Sequence, residues 1–220
     1  MNGAQDLGGM MGFGKVLHGR EDRPVFDDAA EKRVLGLVLA MGATGSWSID
    51  ASRHARETLP PVEYLSASYA EKWIKGMTRL LIERGLVSIH ELYGDEPVGA
   101  GKAVARVLRA EDVADLVASG SPYERPATRP ARFAVGDSIV ARNDHPVGHT
   151  RLPRYVRGRP GTIAAVNGVY VFPDSLAHGG GENPDWCYSV RFRGQDLWGR
   201  NSDPQLIVMA DLWESYLDPA

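Results

Sequence analysis

The chain has 220 residues, of which 43% are hydrophobic and 24% charged, with a formal net charge of −3. The composition is typical of an ordinary soluble protein, and the slightly negative charge disfavours a general nucleic-acid binder. A single cysteine, Cys187, excludes an internal disulfide and a thiolate metal cage, and it fits a reducing cytoplasm.

No secretory or membrane signal is expected. The N-terminus lacks the basic-then-apolar order of a secretory signal. The longest uncharged run, residues 34–49, is interrupted by glycines and hydroxyl side chains and is shorter than the ~20 residues that span a bilayer. We therefore expect a cytoplasmic protein without a membrane partner.

Residues 1–25 are rich in glycine and have no helix or strand period, which predicts an extended arm. Within it, residues 9–15 nearly match a P-loop, but Val16 stands where a magnesium-binding Ser or Thr is needed. We expect the arm to lie against a partner rather than to bind a nucleotide.

Helical spacing of apolar residues dominates the first half. The first predicted helix is capped by Asp27 and Asp28 and ends at Gly42 and Gly45. Further helices are predicted over residues 48–59, stopping at Pro60-Pro61, over 67–84, from a capping box at 88–91, and over 110–118.

Proline-rich residues 121–132 predict a linker between a domain of arm and helices, 1–120, and a second domain, 133–220. Strand patterns follow at 133–142, 162–166, 169–172, 186–192 and 206–209, and Asn167-Gly168 predicts a type I′ hairpin turn. The predicted fold class is α+β: a helical half with an extended N-terminal arm, then a small closed SH3-like β-barrel.

A basic stretch at residues 148–161 carries four arginines between glycines and prolines: Arg151, Arg154, Arg157 and Arg159. Guanidinium groups on a fixed loop suit an anionic target, although a solvated basic loop explains the same composition. His145 and His149 have the spacing of a zinc helix, but Pro146 and Gly148 forbid that helix. The residues alone therefore predict no self-sufficient active site.

Ordered motifs along nearly the whole chain resemble the beta subunit of nitrile hydratase. They are Met1-Asn-Gly with Asp6-Leu-Gly-Gly, Glu63-Tyr-Leu with Tyr69 and Trp73, Phe133-x-x-Gly-Asp137, Gly148-His-Thr-Arg with Arg154-Tyr-Val-Arg-Gly158, Phe172-Pro-Asp174, Leu197-Trp-Gly199, and Asp211-Leu-Trp-Glu-x-Tyr216.

The resemblance implies an enzyme that hydrates nitriles to amides together with an alpha subunit, in an alpha–beta heterodimer or an (alpha–beta)2 heterotetramer. In that family the alpha subunit binds cobalt(III) or iron(III) through three cysteines, two of them oxidised to sulfinic and sulfenic acids. No metal is then expected in this chain. Buried anions of that kind need charge-assisted partners.

The resemblance implies that two arginines supply those partners. They correspond to Arg53, on the second helix, and Arg151, in the basic stretch. The correspondence is better supported for Arg151, because the motif Gly-His-Thr-Arg is locally distinctive. Arg56 is an alternative to Arg53 for the first role.

Four further residues acquire roles from the resemblance. Tyr69 is similar to a tyrosine that bonds an alpha-subunit serine beside the metal, and Glu57 to a position supporting the first arginine. Trp73 is similar to a residue that lines the nitrile pocket, with Ile49 as its neighbour. Residues 93–109 are shorter than in longer relatives, so contacts made there by insertions are not carried over.

Two alternatives remain. A subunit of the related thiocyanate hydrolase would use a similar chain. A binding module that grips RNA through Tyr155 and residues 151–159 would need no enzyme partner.

Overall fold

The computed structural model describes residues 2–15, 26, 28–94 and 100–220. The chain divides into two compact units. One contains Asn2, residues 6–10 and residues 121–220, and the other contains residues 3–5 and 11–120. In the described ranges, no helix combines the length and the apolar character that a membrane crossing requires. The expected helix cap Asp27 lies outside the described residues, as do residues 16–25 of the expected arm.

The helical unit contains α1 (Ala29–Ala43), α2 (Ile49–Glu57), α3 (Pro61–Ser66), α4 (Tyr69–Glu83), α5 (Ile89–Tyr93), a 3-10 turn (Ala110–Asp112) and α6 (Val113–Ser119). Helices α1 and α2 both pack against α4. The buried apolar residues at the α2–α4 crossing are Ala51, Ala55, Met77 and Leu80. Small residues on α2 therefore let the two helices approach closely.

Side-chain caps fix where these helices begin. Asp28 accepts a hydrogen bond from the Glu31 amide, and Ser48 accepts one from the Ala51 amide. Complete capping boxes open α4 and α5, at Ser68 and Ser88. Pro61 was expected only to stop a helix, but it also begins α3, because proline is tolerated in a first turn whose amides have no helical partner.

The second unit contains β1 (Glu124–Arg125), β2 (Ser138–Ala141), β3 (Pro160–Tyr170), β4 (Asp185–Arg193), β5 (Ile207–Trp213) and β6 (Leu217–Pro219), with short helices α7 (Pro173–Leu176) and α8 (Gly194–Trp198). The sheet is antiparallel in the order β5-β4-β3-β2-β6, and β1 pairs with β3. The α+β class is confirmed. Strand β1 lies in the segment that the sequence indicated as a linker.

The expected closed barrel is not formed. Among the described strands, the pairing path ends at β5 on one side and β6 on the other. After β5 the chain makes a 3-10 turn, Glu214–Tyr216, so that β6 pairs with β2 instead of returning along β5. An open six-stranded sheet is the result.

The predicted hairpin at Asn167-Gly168 is wrong. Strand β3 continues through both residues, and the pairing register with β4 shifts between Val166 and Gly168. Gly168 has a φ of 121°, whereas Asn167 has no positive φ, although a type I′ turn requires one at both central residues. The dipeptide therefore forms a β-bulge, in which Asn167 donates to the Ser189 hydroxyl at 3.1 Å.

A buried carboxylate fixes the segment that enters the sheet unit. Glu214, almost fully buried, accepts hydrogen bonds from the Tyr188 hydroxyl and from the Arg132 amide at 2.9 Å, and it pairs with Arg129. Burial and this bond to Glu214 raise the pKa of Tyr188 to about 12. Burial alone would raise the pKa of Glu214, but the donated hydrogen bonds and Arg129 outweigh it and lower that pKa below its ordinary value.

Candidate functional site

One face of α2 carries three of the expected site residues. Ile49, Arg53 and Glu57 recur every fourth position, so their side chains project from the same side of the helix. Ile49 is 45% exposed. Arg53 Nη1 lies 2.7 Å from Oδ1 of Asp50, whose side chain is fully buried. The buried carboxylate therefore fixes the direction of a guanidinium that remains partly exposed.

The first turns of α4 carry Tyr69 and Trp73. Their ring centroids are 5.7 Å apart, and Tyr69 is 75% exposed. The Arg56 guanidinium lies over the Trp73 ring, with its Cζ 3.8 Å from the centroid. Burial lowers the pKa of Arg56 from its ordinary value. The α2–α4 surface thus presents two cations, Arg53 and Arg56, beside two aromatic rings.

The arginines of the basic stretch divide into two groups. Arg154 and Arg157 hold the start of the N-terminal arm. The Arg154 amide donates to Asp6 Oδ2 at 2.8 Å, and the buried Arg157 donates to Asn2 and to the Leu152 carbonyl, 2.9 Å from Nη2. Arg151 and Arg159 are exposed, as is Arg154, so Arg157 is the buried member of the four. Composition alone predicted an anionic target for all four, but two of them bind this chain's own arm.

The glycines of the arm allow close packing on two aromatic rings. Tyr155 and Trp198 stack with centroids 6.1 Å apart. A Cβ on Gly8 would lie 2.3 Å from the Tyr155 ring, and one on Gly9 would lie 2.5 Å from the Trp198 indole nitrogen. Only glycine fits at these contacts, which explains why Gly8 and Gly9 occupy this part of the arm.

Side chains from two distant motifs hold the backbone before and at Arg151. The Arg151 amide donates to the Tyr216 hydroxyl at 3.1 Å, and that hydroxyl donates to Asp174. Asp174 also accepts a hydrogen bond from the Thr150 hydroxyl. Burial raises the pKa of both Asp174 and Tyr216.

A histidine of the glycine-rich loop completes this support. The amide of His149, itself buried, donates to Nε2 of His178 at 2.9 Å. A Cβ at Gly148 would lie 2.4 Å from the same nitrogen. The three motifs Gly148-His-Thr-Arg, Phe172-Pro-Asp174 and Asp211–Tyr216 therefore form one hydrogen-bonded cluster.

Comparison with known proteins agrees with this arrangement of motifs. Residues 1–115 match the family described as nitrile hydratase beta subunit, N-terminal, and residues 122–219 match nitrile hydratase beta subunit, C-terminal. The chain belongs to the nitrile hydratase beta subunit family.

Full-length relatives include two nitrile hydratase beta subunits. The low-molecular weight cobalt-containing nitrile hydratase subunit beta of Rhodococcus rhodochrous is 39% identical, and the nitrile hydratase subunit beta of Pseudomonas putida is 38% identical. Each match covers the whole of both chains. A partial match, 37% identical, joins 41% of this chain to 73% of the thiocyanate hydrolase subunit alpha of Thiobacillus thioparus.

The donor chemistry of this beta subunit does not fit a thiolate-bound metal. Its one cysteine, Cys187, is buried on β4 beside Asn167 and Asp211. Burial raises the pKa of this thiol to about 11, which opposes the thiolate form that a metal requires.

Sequence reasoning missed three supporting residues: Asp50, Asp174 and His178. Asp50 had a local signal, because an acid three residues before an arginine in the first helical turn can pair with it. The sequence indicates Asp174 only as part of the motif Phe172-Pro-Asp174. Neither it nor His178 had a signal of its own, because each contact joins positions at least 23 residues apart in the chain, as for Asp174 and Arg151.

Proposed function

We propose that this chain is the beta subunit of an enzyme that hydrates nitriles to amides, and that an alpha subunit completes its active site. The observation that supports this most directly is the match of both halves of the chain to nitrile hydratase beta subunits, with relatives aligned from end to end.

Arg53 and Arg151 are the residues that this chain contributes to the partner's metal site. Oxidised cysteine ligands are anions, and at a subunit interface they require charge-assisted donors. Arg53 is oriented by the buried Asp50, and the backbone of Arg151 is held by Tyr216. A guanidinium can meet such an oxyanion with two parallel donors, which lysine cannot reproduce.

Tyr69, Trp73, Ile49 and Glu57 are proposed to shape the substrate side of the site. Trp73 and Ile49 offer apolar surface to a small nitrile, and the exposed Tyr69 hydroxyl is available to the partner. Glu57 follows Arg53 by one helical turn and supports its charge. Trp73 is also covered on one side by Arg56, which limits the ring surface left for a substrate.

The metal is proposed to be cobalt(III), held by the alpha subunit, since two of the relatives are named as cobalt-containing. When bound there it supplies Lewis-acid activation of a nitrile or water. An (alpha–beta)2 heterotetramer in the cytoplasm is proposed as the working assembly. Iron(III) is the alternative metal.

Two other functions have less support. A thiocyanate hydrolase subunit is supported by a match over 41% of the chain, whereas the nitrile hydratase beta subunits match from end to end. An RNA-binding module would use the basic stretch, but Arg157 is buried there and Arg154 binds Asp6. Arg151, Arg154 and Arg159 remain exposed, so the matches of both halves of the chain to nitrile hydratase beta subunits weigh more against this alternative than the burial of one arginine.

Co-expression with a cobalt-type alpha subunit tests the proposal. Amide formation from a small aliphatic nitrile is expected from the co-expressed pair and not from either chain alone. A metal-loaded pair that converts thiocyanate but no nitrile would contradict it, as would salt-sensitive RNA binding without any hydration activity.

A further inference from the structure

The least expected feature of the sheet unit is that Arg151, an exposed residue, has a backbone amide that donates to the hydroxyl of a buried tyrosine, Tyr216. We propose that Tyr216, backed by Asp174, is a positioning residue that holds Arg151 in the geometry needed for the reaction. This inference rests on the proposed function of Arg151, and it assigns a role to two residues that do not themselves touch the substrate.

The geometry supports a positioning role because one hydroxyl makes two bonds. Tyr216 accepts from the Arg151 amide at 3.1 Å and donates to Asp174. Tyr216 is 5% exposed, so no bulk water replaces this acceptor when it is removed. Loss of the hydroxyl removes one acceptor of the Arg151 amide and leaves that amide with the Asp174 carboxylate alone to hold it.

Burial makes the pair sensitive to small changes. The carboxylate of Asp174 faces Tyr216, Thr150, the Arg151 amide, the His149 ring and the Arg157 guanidinium. A well-satisfied buried network of this kind specifies a single conformation. The Tyr216 ring also packs against Phe172, with centroids 5.5 Å apart, so a phenylalanine at position 216 keeps the packing while losing the bonds.

The test uses Tyr216→Phe in the complete complex with its alpha subunit. Hydrogen exchange of a peptide spanning residues 148–152 is expected to become roughly tenfold faster, because the Arg151 amide loses the Tyr216 hydroxyl, one of its two acceptors. We expect kcat to fall about tenfold with little change in KM and with unchanged metal content, since an interaction that matters in the transition state is loosened.

A double variant separates positioning from general weakening. In an Arg151→Lys background, Tyr216→Phe is expected to change kcat by less than about twofold, because both changes act through the same guanidinium. Tyr170→Phe is the matched control, since its hydroxyl makes only a 3.4 Å contact to the Asn167 carbonyl. It should leave exchange and kcat unaltered.

The outcomes that overturn the inference are specific. Tyr216→Phe would contradict positioning if it left hydrogen exchange at residues 148–152 unchanged. It would also do so if it lowered kcat by the same factor in the Arg151→Lys background as in the parent. If the Tyr216→Phe chain does not assemble with its alpha subunit, the same measurements are made on Asp174→Asn, which removes the charge at nearly constant size. A wild-type complex that forms no amide would refute the proposed function, while the exchange measurement would still decide whether Tyr216 holds the Arg151 backbone.

Discussion

The Arg56 guanidinium covers the Trp73 ring at 3.8 Å, and this contact depends on a glycine one turn further along α4. A Cβ at Gly76 would lie 2.6 Å from Cγ of Arg56 and 3.2 Å from its backbone nitrogen. The α2–α4 crossing is therefore as close as it can be at this point.

Gly76→Ala is expected to destabilise the protein. Alanine favours helix by about 1 kcal/mol over glycine, but overpacking against the α2 backbone costs about 1–3 kcal/mol, so the net effect is a loss. Gly36→Ala on α1 is the matched control, because nothing lies within 4 Å of the added Cβ, and it should stabilise. Urea unfolding measures both, and a gain of stability in Gly76→Ala would contradict the described crossing.

Arg53→Lys and Arg151→Lys are each expected to reduce kcat by roughly a factor of 10 to 1,000, because a lost donor to a buried oxyanion has effects of that size. The complex should still form and carry metal. Arg191→Lys, an exposed arginine on β4, is the control and should retain full activity. Near-normal turnover in a metal-loaded Arg151→Lys complex would refute the role assigned to that residue.

Stability should fall in acid partly because of Glu214. Its pKa is lowered in the folded protein, so it stabilises the fold above its ordinary pKa of 4.5, and this contribution disappears as the pH falls through the lower folded value. Glu214→Gln should show a smaller loss of unfolding free energy between pH 5 and pH 3 than the parent, starting from a lower stability at pH 7. Glu111→Gln is the control, because it removes one exposed carboxylate. If the free energy of unfolding fell equally between pH 5 and pH 3 in the parent and in Glu214→Gln, the role assigned to Glu214 would be contradicted.

The sequence predicted what local chemistry determines. Caps at Asp28 and Ser88 predicted the starts of α1 and α5, because a cap lies within three residues of the amide that it satisfies, and helical spacing predicted α4. Asn167-Gly168 failed as a hairpin signal, because strand pairing over the length of β3 prevailed over a two-residue turn preference.

The candidate site was predictable in its residue types and only partly in its contacts. The resemblance supplied Arg53 and Arg151, and the structure adds Asp50 and Tyr216 as the groups that hold them. Neither partner was predicted, because the role of Asp50 depends on its burial and that of Tyr216 on a contact between distant parts of the chain. The basic stretch exposes three of its four arginines, because Arg157 is buried against Asn2 and Leu152.

Native mass spectrometry with metal analysis, on the chain purified from its own cells, tests the central claim most directly. The account predicts a stoichiometric complex with a second, cysteine-rich chain, one cobalt ion for each pair, and amide formation by that complex. A lone, metal-free chain, or a complex with nucleic acid instead of a metal-bearing subunit, would contradict it.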